Sequence, residues 1–350
     1  MKELTHGGDI YGYREAFGRE PLDFSANISP LGLPEGVRQA VIDALDSADR
    51  YPDPLCRELT HALSIHEQVT EQHILCGNGA ADLIFRLALA LRPAKVLLPA
   101  PTFAEYAQAV ECVGAVVHHH TLLEQEEFQV TQSILREITP EVDLLCLCNP
   151  NNPTGQAVQP EMLLSILQRC RECAVTVLLD ECFLSFLDQP EQYAMKGYLA
   201  QFPNLVILKA FTKIYAMAGL RLGYCLCSDS GLLERMRSVG QPWAVSNLAS
   251  AAGLAALKER EYVAQTKALI KEERGYLCQE LARLGMRVYG SHANYIFFKS
   301  PLPGLKERLL PLGVLIRSCG NYPGLDGRFY RVAVRSHEEN QALIEAVAQL

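Results

Sequence analysis

Seven short, largely aliphatic runs constrain this chain more than any other feature of its sequence. They fall at residues 73–76, 95–98, 115–119, 142–148, 175–179, 205–209 and 222–227. Between several of them lie longer stretches with helical spacing of apolar residues, at 81–91, 102–113 and 161–173. Near-continuous Val, Ile and Leu marks strands buried on both faces, and intervening helices supply the crossovers that parallel strands require. The expected fold class is α/β, with a mostly parallel seven-stranded sheet in a large domain. After Trp243 the pattern changes. Two long helical segments (246–259 and 262–284) precede strands at 295–299, 314–317 and 329–334 and a last helix at about 338–349. These describe a smaller α+β domain. We expect an N-terminal segment (residues 1–47) joined to the smaller domain, a large domain at 48–242 and the small domain at 243–350. With 350 residues, two packed lobes suit the length better than one small core.

Hydrophobic residues make up 49% and charged residues 21%, the balance of an ordinary soluble protein. The most apolar stretch, near Leu83 to Leu98, is interrupted by Arg86, Arg92 and Lys95, so no membrane span is expected. The opening MKELTHGGDIYGYRE lacks the apolar segment of a signal peptide, and a cytoplasmic protein is expected. A net charge of −8 argues against nucleic-acid or anionic membrane surfaces, though a local basic pocket can still take a small anion. Twelve cysteines are too many to ignore. Disulfide frameworks belong to short secreted domains, whereas Cys146, Cys148, Cys225 and Cys227 lie inside apolar runs, so buried, reduced thiols are expected.

Open parallel sheets bind ligands beyond the carboxyl ends of their strands. The first run leads into Gly77-Asn78-Gly79-Ala80-Ala81-Asp82 and then a helix, whose free N–H groups suit an anion. Such a turn is as often only a turn. The fourth run enters Asn149-Pro150-Asn151-Asn152-Pro153-Thr154-Gly155, a turn stiffened by proline and glycine. The fifth ends in Asp180-Glu181, carboxylates that need a cation or water, so a structural ion pair competes with function there. The sixth opens Ala210-Phe211-Thr212-Lys213, followed by Gly219-Leu220-Arg221-Leu222-Gly223-Tyr224.

In that order, from about Gly77 to Tyr224, these elements resemble the pyridoxal-phosphate (PLP) enzymes of the aspartate aminotransferase fold, also called PLP-dependent transferase fold type I. The resemblance implies PLP as cofactor and no metal. Lys213 would be the catalytic lysine that joins the cofactor's aldehyde. Asp180 would pair with the ring nitrogen, Asn152 with the ring oxygen, and Phe103 would stack on the ring. Gly79, Ala80, Ala81, Thr212 and Arg221 would hold the cofactor phosphate. Tyr51, in Arg50-Tyr51-Pro52-Asp53, resembles the tyrosine that reaches this phosphate from a second subunit, which implies a homodimer with shared active sites. Three positions depart from the commoner pattern: Ala80-Ala81 lack a hydroxyl, Ala210 replaces a frequent serine, and Phe183 replaces a frequent tyrosine. Cofactor retention should then lean on Arg221, Thr212 and the backbone.

Both ends of the chain point to one branch. His6-Gly7-Gly8-Asp9, Asp23-Phe24-Ser25-Ala26-Asn27-Ile28-Ser29-Pro30, Ile316-Arg317-Ser318-Cys319-Gly320-Asn321-Tyr322-Pro323-Gly324 and Phe329-Tyr330-Arg331 resemble the L-threonine-O-3-phosphate decarboxylases of cobalamin biosynthesis. Asp9 stands where asparagine is usual. The resemblance implies that Arg331 grips the substrate carboxylate, while Arg317, His6, Gly7 and Asn27 recognise its phosphate and Asn152 touches both ring and substrate. It makes the substrate a small phosphorylated amino acid. Arg335 is expected in an ion pair instead. His118-His119-His120 and Cys170-x-x-Cys173 are set aside as structural. Serine phosphate decarboxylation, a histidinol-phosphate-type aminotransferase and a cofactor-sensing regulator domain are the alternatives.

Overall fold

In the computed structural model, which describes residues 7–350, the seven runs form one sheet. Its spatial order is Ile74–Gly77, Gly223–Leu226, Leu205–Ala210, Thr176–Asp180, Leu144–Cys148, Lys95–Ala100 and Val116–Thr121. Neighbours run parallel except around Gly223–Leu226, which is antiparallel to both strands beside it. Side chains alternate between two cores, as the period of a strand requires. Leu145, Leu147, Val177, Leu179 and Ile207 face one, while Leu144, Cys146, Cys148, Leu178 and Val206 face the other. The cysteines in these runs are therefore core residues. All twelve are free thiols, and burial pushes those of Cys146 and Cys148 well above their ordinary pKa.

Helices close both faces. Helix Gly79–Leu91 buries Leu83, Ile84, Leu87 and Ala88 against the sheet, and Pro160–Glu172 buries Leu163, Ile166 and Leu167 on the opposite side. Proline at the first helical position costs Pro160–Glu172 nothing, since that N–H has no partner in the helix.

The C-terminal part builds a four-stranded antiparallel sheet in the order Arg317–Ser318, Phe329–Ala333, Tyr295–Lys299, Arg287–Tyr289. Helices Arg260–Arg283 and His337–Ala348 pack beside it through Ile270, Leu277, Leu281, Leu343 and Ile344. Ser336 and Glu339 form a capping box that starts the last helix. One expectation is corrected here. The single strand at 314–317 divides: Val314–Leu315 pairs in parallel with Leu22–Asp23, and only Arg317–Ser318 joins the antiparallel sheet. An apolar run read as one strand thus serves two sheets, and its first half ties down the N-terminal segment. Phe24 continues the tie, its N–H donating to Leu315 and its carbonyl accepting from Ala333. Helices Ile10–Phe17, Glu35–Asp43 and Arg57–Glu67 were not anticipated. No helix among the described residues is long and apolar enough to cross a membrane.

Candidate active site

Asp180 is the last residue of its strand, Asn152 follows Leu144–Cys148, Phe103 follows Lys95–Ala100, and Thr212-Lys213 follow Leu205–Ala210. All four carboxyl ends open on one cavity of about 270 Å³. Ala80, Ala81 and Arg221 line it from the large sheet's side, and Gly7, Asn27, Arg317 and Arg331 from the N- and C-terminal parts. Gly79 sits behind this wall with φ +76°, and a Cβ on it would lie 2.6 Å from Arg221 Nη2. Two candidates lie apart. Tyr51 is 80% exposed and stacks on Trp243 at 4.5 Å, away from the cavity of its own chain. His6 lies outside the described residues.

The start of helix Gly79–Leu91 has no side-chain cap, while the Asn78 N–H is taken by Asp82 Oδ2 at 2.9 Å. The N–H groups of the next turn therefore remain for an anion, with Thr212 and Arg221 beside them. Gly7 approaches the chain so closely that a Cβ would fall 2.3 Å from the Ser25 carbonyl oxygen. Its glycine serves close packing of the N-terminal segment against Ser25–Asn27 at the cavity wall.

Lys213 sits in the short helix Phe211–Ile214, its Nζ 5.6 Å from the centre of the Phe183 ring. Burial, and then the positive charge of Arg331, lower its pKa below the ordinary lysine value. A larger neutral fraction makes the amine a better nucleophile. Asp180 is buried, which raises its pKa, while donors from Cys182 and Tyr106 pull it back. The Tyr106 hydroxyl donates to Oδ2 at 2.6 Å and the Cys182 N–H to Oδ1 at 2.9 Å.

Asn151 braces the Asn-Pro turn, accepting from Thr102 at 2.8 Å and donating to Pro101 and Thr154 at 3.0 Å. Asn152 is thereby free to face the cavity, where its Oδ1 accepts from Arg331 Nη1 and its amide N–H groups remain available. Arg331 also donates through Nη2 to the Ser25 carbonyl at 2.7 Å and lies over the Tyr295 ring at 5.5 Å. Arg317 is its register partner on the neighbouring antiparallel strand, so both side chains leave one face of the sheet. Arg317 Nη2 donates to Asn321 Oδ1 at 2.9 Å and the guanidinium sits over Tyr322 at 5.3 Å.

A second cavity of about 350 Å³ adjoins the first across Cys182 and Ala210. Glu67 there meets Lys196 at 2.9 Å and Lys209 at 3.1 Å, and Glu181 lies 3.7 Å from Lys209. Of the neighbouring carboxylates, Glu181 is thus the structural ion pair and Asp180 faces the cavity. Arg335 pairs with Glu339 at 2.7 Å as expected. His118 and His120 both reach Glu137, and His119 points the other way. Sequence reasoning missed Tyr106, whose only signal was its place three residues after Phe103 at the start of a helix entering from the cavity.

Comparison with known proteins decides the family. Residues 19–347 match the family described as aminotransferase class I and II. The chain belongs to it. Within aminotransferase class I and II it is similar to threonine-phosphate decarboxylase of Salmonella typhimurium, at 40% identity over 98% of this chain and 95% of the relative. It is also similar to histidinol-phosphate aminotransferase of Symbiobacterium thermophilum, at 32% identity over 99% of this chain and 95% of the relative. Among solved structures, L-threonine-O-3-phosphate decarboxylase from Porphyromonas gingivalis superposes with a TM-score of 0.83 at 26% identity, covering 93% of this chain and 98% of that one.

Proposed function

We propose that this protein is a PLP-dependent lyase that converts L-threonine O-3-phosphate into (R)-1-amino-2-propanol O-2-phosphate and CO2, for the nucleotide loop of cobalamin. The observation that carries this reading is the pair Arg317 and Arg331, buried on adjacent strands and facing the cavity that holds Lys213. Two fixed cations suit a substrate with two anions, a carboxylate and a phosphate. The 40% identity to a threonine-phosphate decarboxylase across nearly the whole chain agrees with it.

The donor set fits PLP. The uncapped helix start at Gly79, Ala80 and Ala81, with Thr212 and Arg221, suits its phosphate. Asp180 suits the ring nitrogen, Asn152 the ring oxygen, Phe103 the ring face and the Lys213 amine the aldehyde. When bound, PLP supplies an electron-poor ring that stabilises the electron pair left at Cα as a bond there breaks. The protein's own residues do the rest. Arg331 holds the carboxylate and, through Asn152, fixes how Cα is presented. Arg317, with His6, Gly7 and Asn27, holds the phosphate. Lys213, whose side chain lines the cavity, would be the acid that returns a proton to Cα after CO2 departs.

The same reading makes the protein a cytoplasmic homodimer. Residues 48–242 form the cofactor lobe, 243–350 the small domain, and 1–47 belong to the small domain and the partner's site, with two exceptions. Val37, Val245, Ala249, Ala252 and Ala256 pack into the core of the large sheet, so helices Glu35–Asp43 and Asn247–Ala256 side with the cofactor lobe. The exposed Tyr51–Trp243 stack is a surface a second subunit would cover, and it would bring Tyr51 to the partner's cofactor phosphate. Neither nucleic acid nor membrane is a partner in this reading.

The test is CO2 release from threonine, threonine phosphate, serine phosphate and histidinol phosphate with saturating PLP. Free threonine leaves buried donors unpaired, at about 1–3 kcal/mol each, and should be a very poor substrate. Serine phosphate lacks one methyl, a difference worth about 10–200-fold, and should be decarboxylated to ethanolamine phosphate more slowly. Amino transfer from histidinol phosphate without CO2 from either phosphoamino acid would overturn the proposal.

A further inference from the structure

Asp180 has to be an anion if it is to keep a proton on a ring nitrogen, yet it closes a strand only 5% exposed. Burial favours its neutral form. Hydrogen-bond donors offset that cost: the Tyr106 hydroxyl at 2.6 Å from Oδ2 and the Cys182 N–H at 2.9 Å from Oδ1. Tyr106 is itself fully buried, and burial together with the charge of Asp180 raises its own pKa far above neutrality. Its hydroxyl therefore remains a donor throughout the working range. The same ring meets Phe103 edge-on, with centroids 5.5 Å apart and planes 77° apart. Phe103 is the N-cap of helix Ala104–Glu111 and Tyr106 lies in its first turn, so the two are fixed by one piece of backbone.

We propose that Tyr106 is a positioning residue that acts on the cofactor at two points, holding Asp180 as an anion toward the ring nitrogen and bracing Phe103 against the ring face. This deepens the PLP reading of the site and rests on it. Tyr106 never touches the cofactor. Its hydroxyl governs the charge state of Asp180, and its ring governs the angle of Phe103. The two roles separate by substitution: Tyr106→Phe deletes the first and keeps the second, because the ring remains.

The experiment uses the PLP-loaded protein with the cofactor labelled at its ring nitrogen with nitrogen-15, observed by NMR as pH is varied. In the unaltered protein the ring nitrogen is protonated. In Tyr106→Phe its signal moves toward the unprotonated position and kcat falls about 10–100-fold, as loss of one charge-assisted donor implies. Tyr106→His keeps an aromatic ring and offers a ring N–H in place of the hydroxyl, and gives a smaller shift in the same direction. It carries the test if Tyr106→Phe fails to fold. In an Asp180→Ala background Tyr106→Phe has no further effect on the ring signal. A ring signal in both variants identical to that of the unaltered protein at every pH overturns the proposal, whatever happens to kcat, since a merely structural role would lower activity without moving that signal. Failure of the cofactor reading looks different: no PLP attaches to Lys213 in the unaltered protein, and both proposals fall together.

Discussion

Replacing Arg331 by lysine isolates what a planar fork contributes beyond its charge. Arg331 is 6% exposed, with Nη1 committed to Asn152 and Nη2 to the Ser25 carbonyl, while Nε has no hydrogen-bond partner among the described residues. Five N–H groups less two leave three for a ligand, enough for a two-point grip on a carboxylate. Lysine keeps the charge but cannot serve Asn152, Ser25 and the substrate from one plane. Losing two charge-assisted hydrogen bonds at about 1.5–3 kcal/mol each amounts to about 3–6 kcal/mol, or roughly a hundredfold to ten-thousandfold in kcat/KM. The product offers an internal control, because it retains the amine and phosphate and has lost the carboxylate. Steady-state CO2 release should therefore collapse in Arg331→Lys while inhibition by the product stays nearly unchanged. Arg317→Lys should weaken both. If Arg331→Lys weakens product as much as substrate, Arg331 is not the carboxylate grip and the assignment of the two arginines is wrong.

Lys213→Ala should abolish turnover and the borohydride-fixed attachment of PLP to the chain read by mass spectrometry. Mixing it with inactive Tyr51→Ala should restore activity through hybrid dimers with one intact site. Proven subunit exchange without recovery refutes a shared site. Glu67 gives a pH prediction. Burial alone would raise its carboxyl, but Lys209, Tyr224 and Lys196 outweigh that and hold it at about 2, below the unfolded value of 4.5. A depressed carboxylate contributes stability that is fully present above the unfolded pKa and is lost as pH falls toward 2. Glu67→Gln should therefore cost about 3 kcal/mol in neutral urea unfolding, with the gap closing in acid. A gap independent of pH would contradict it.

Much of the large sheet was legible because its strands are buried on both faces and so carry uninterrupted apolar runs. What local sequence does not encode is which run lies beside which. Nothing within Gly223–Leu226 announces that it runs antiparallel between Ile74–Gly77 and Leu205–Ala210. Leu22–Asp23 was invisible for a related reason: a two-residue strand has no period, and only its partner Val314–Leu315 gives it a role. The cavity residues were readable where they close a strand or sit in a Gly, Pro or Asn turn, as Asp180, Asn152 and Lys213 do. Tyr106 follows neither rule. A buried tyrosine in a helix reads as core, and its hydroxyl acquires meaning only from a carboxylate 74 positions further along.

The pairing of Leu22–Asp23 with Val314–Leu315 ties Ser25 and Asn27, which follow Asp23, to the segment that leads into Arg317, and all three line the cavity. Lys213, Asp180 and Asn152 stand at the carboxyl ends of the large sheet's strands. Arg317 and Arg331 are partners on one rung of the antiparallel ladder, so the interval between their backbones is set by strand spacing. In the proposed reading, that rung fixes the span between the grips on carboxylate and phosphate. That makes the arginine pair a fixed caliper. A phosphoamino acid one carbon longer should therefore bind more weakly than threonine phosphate, read as a higher KM.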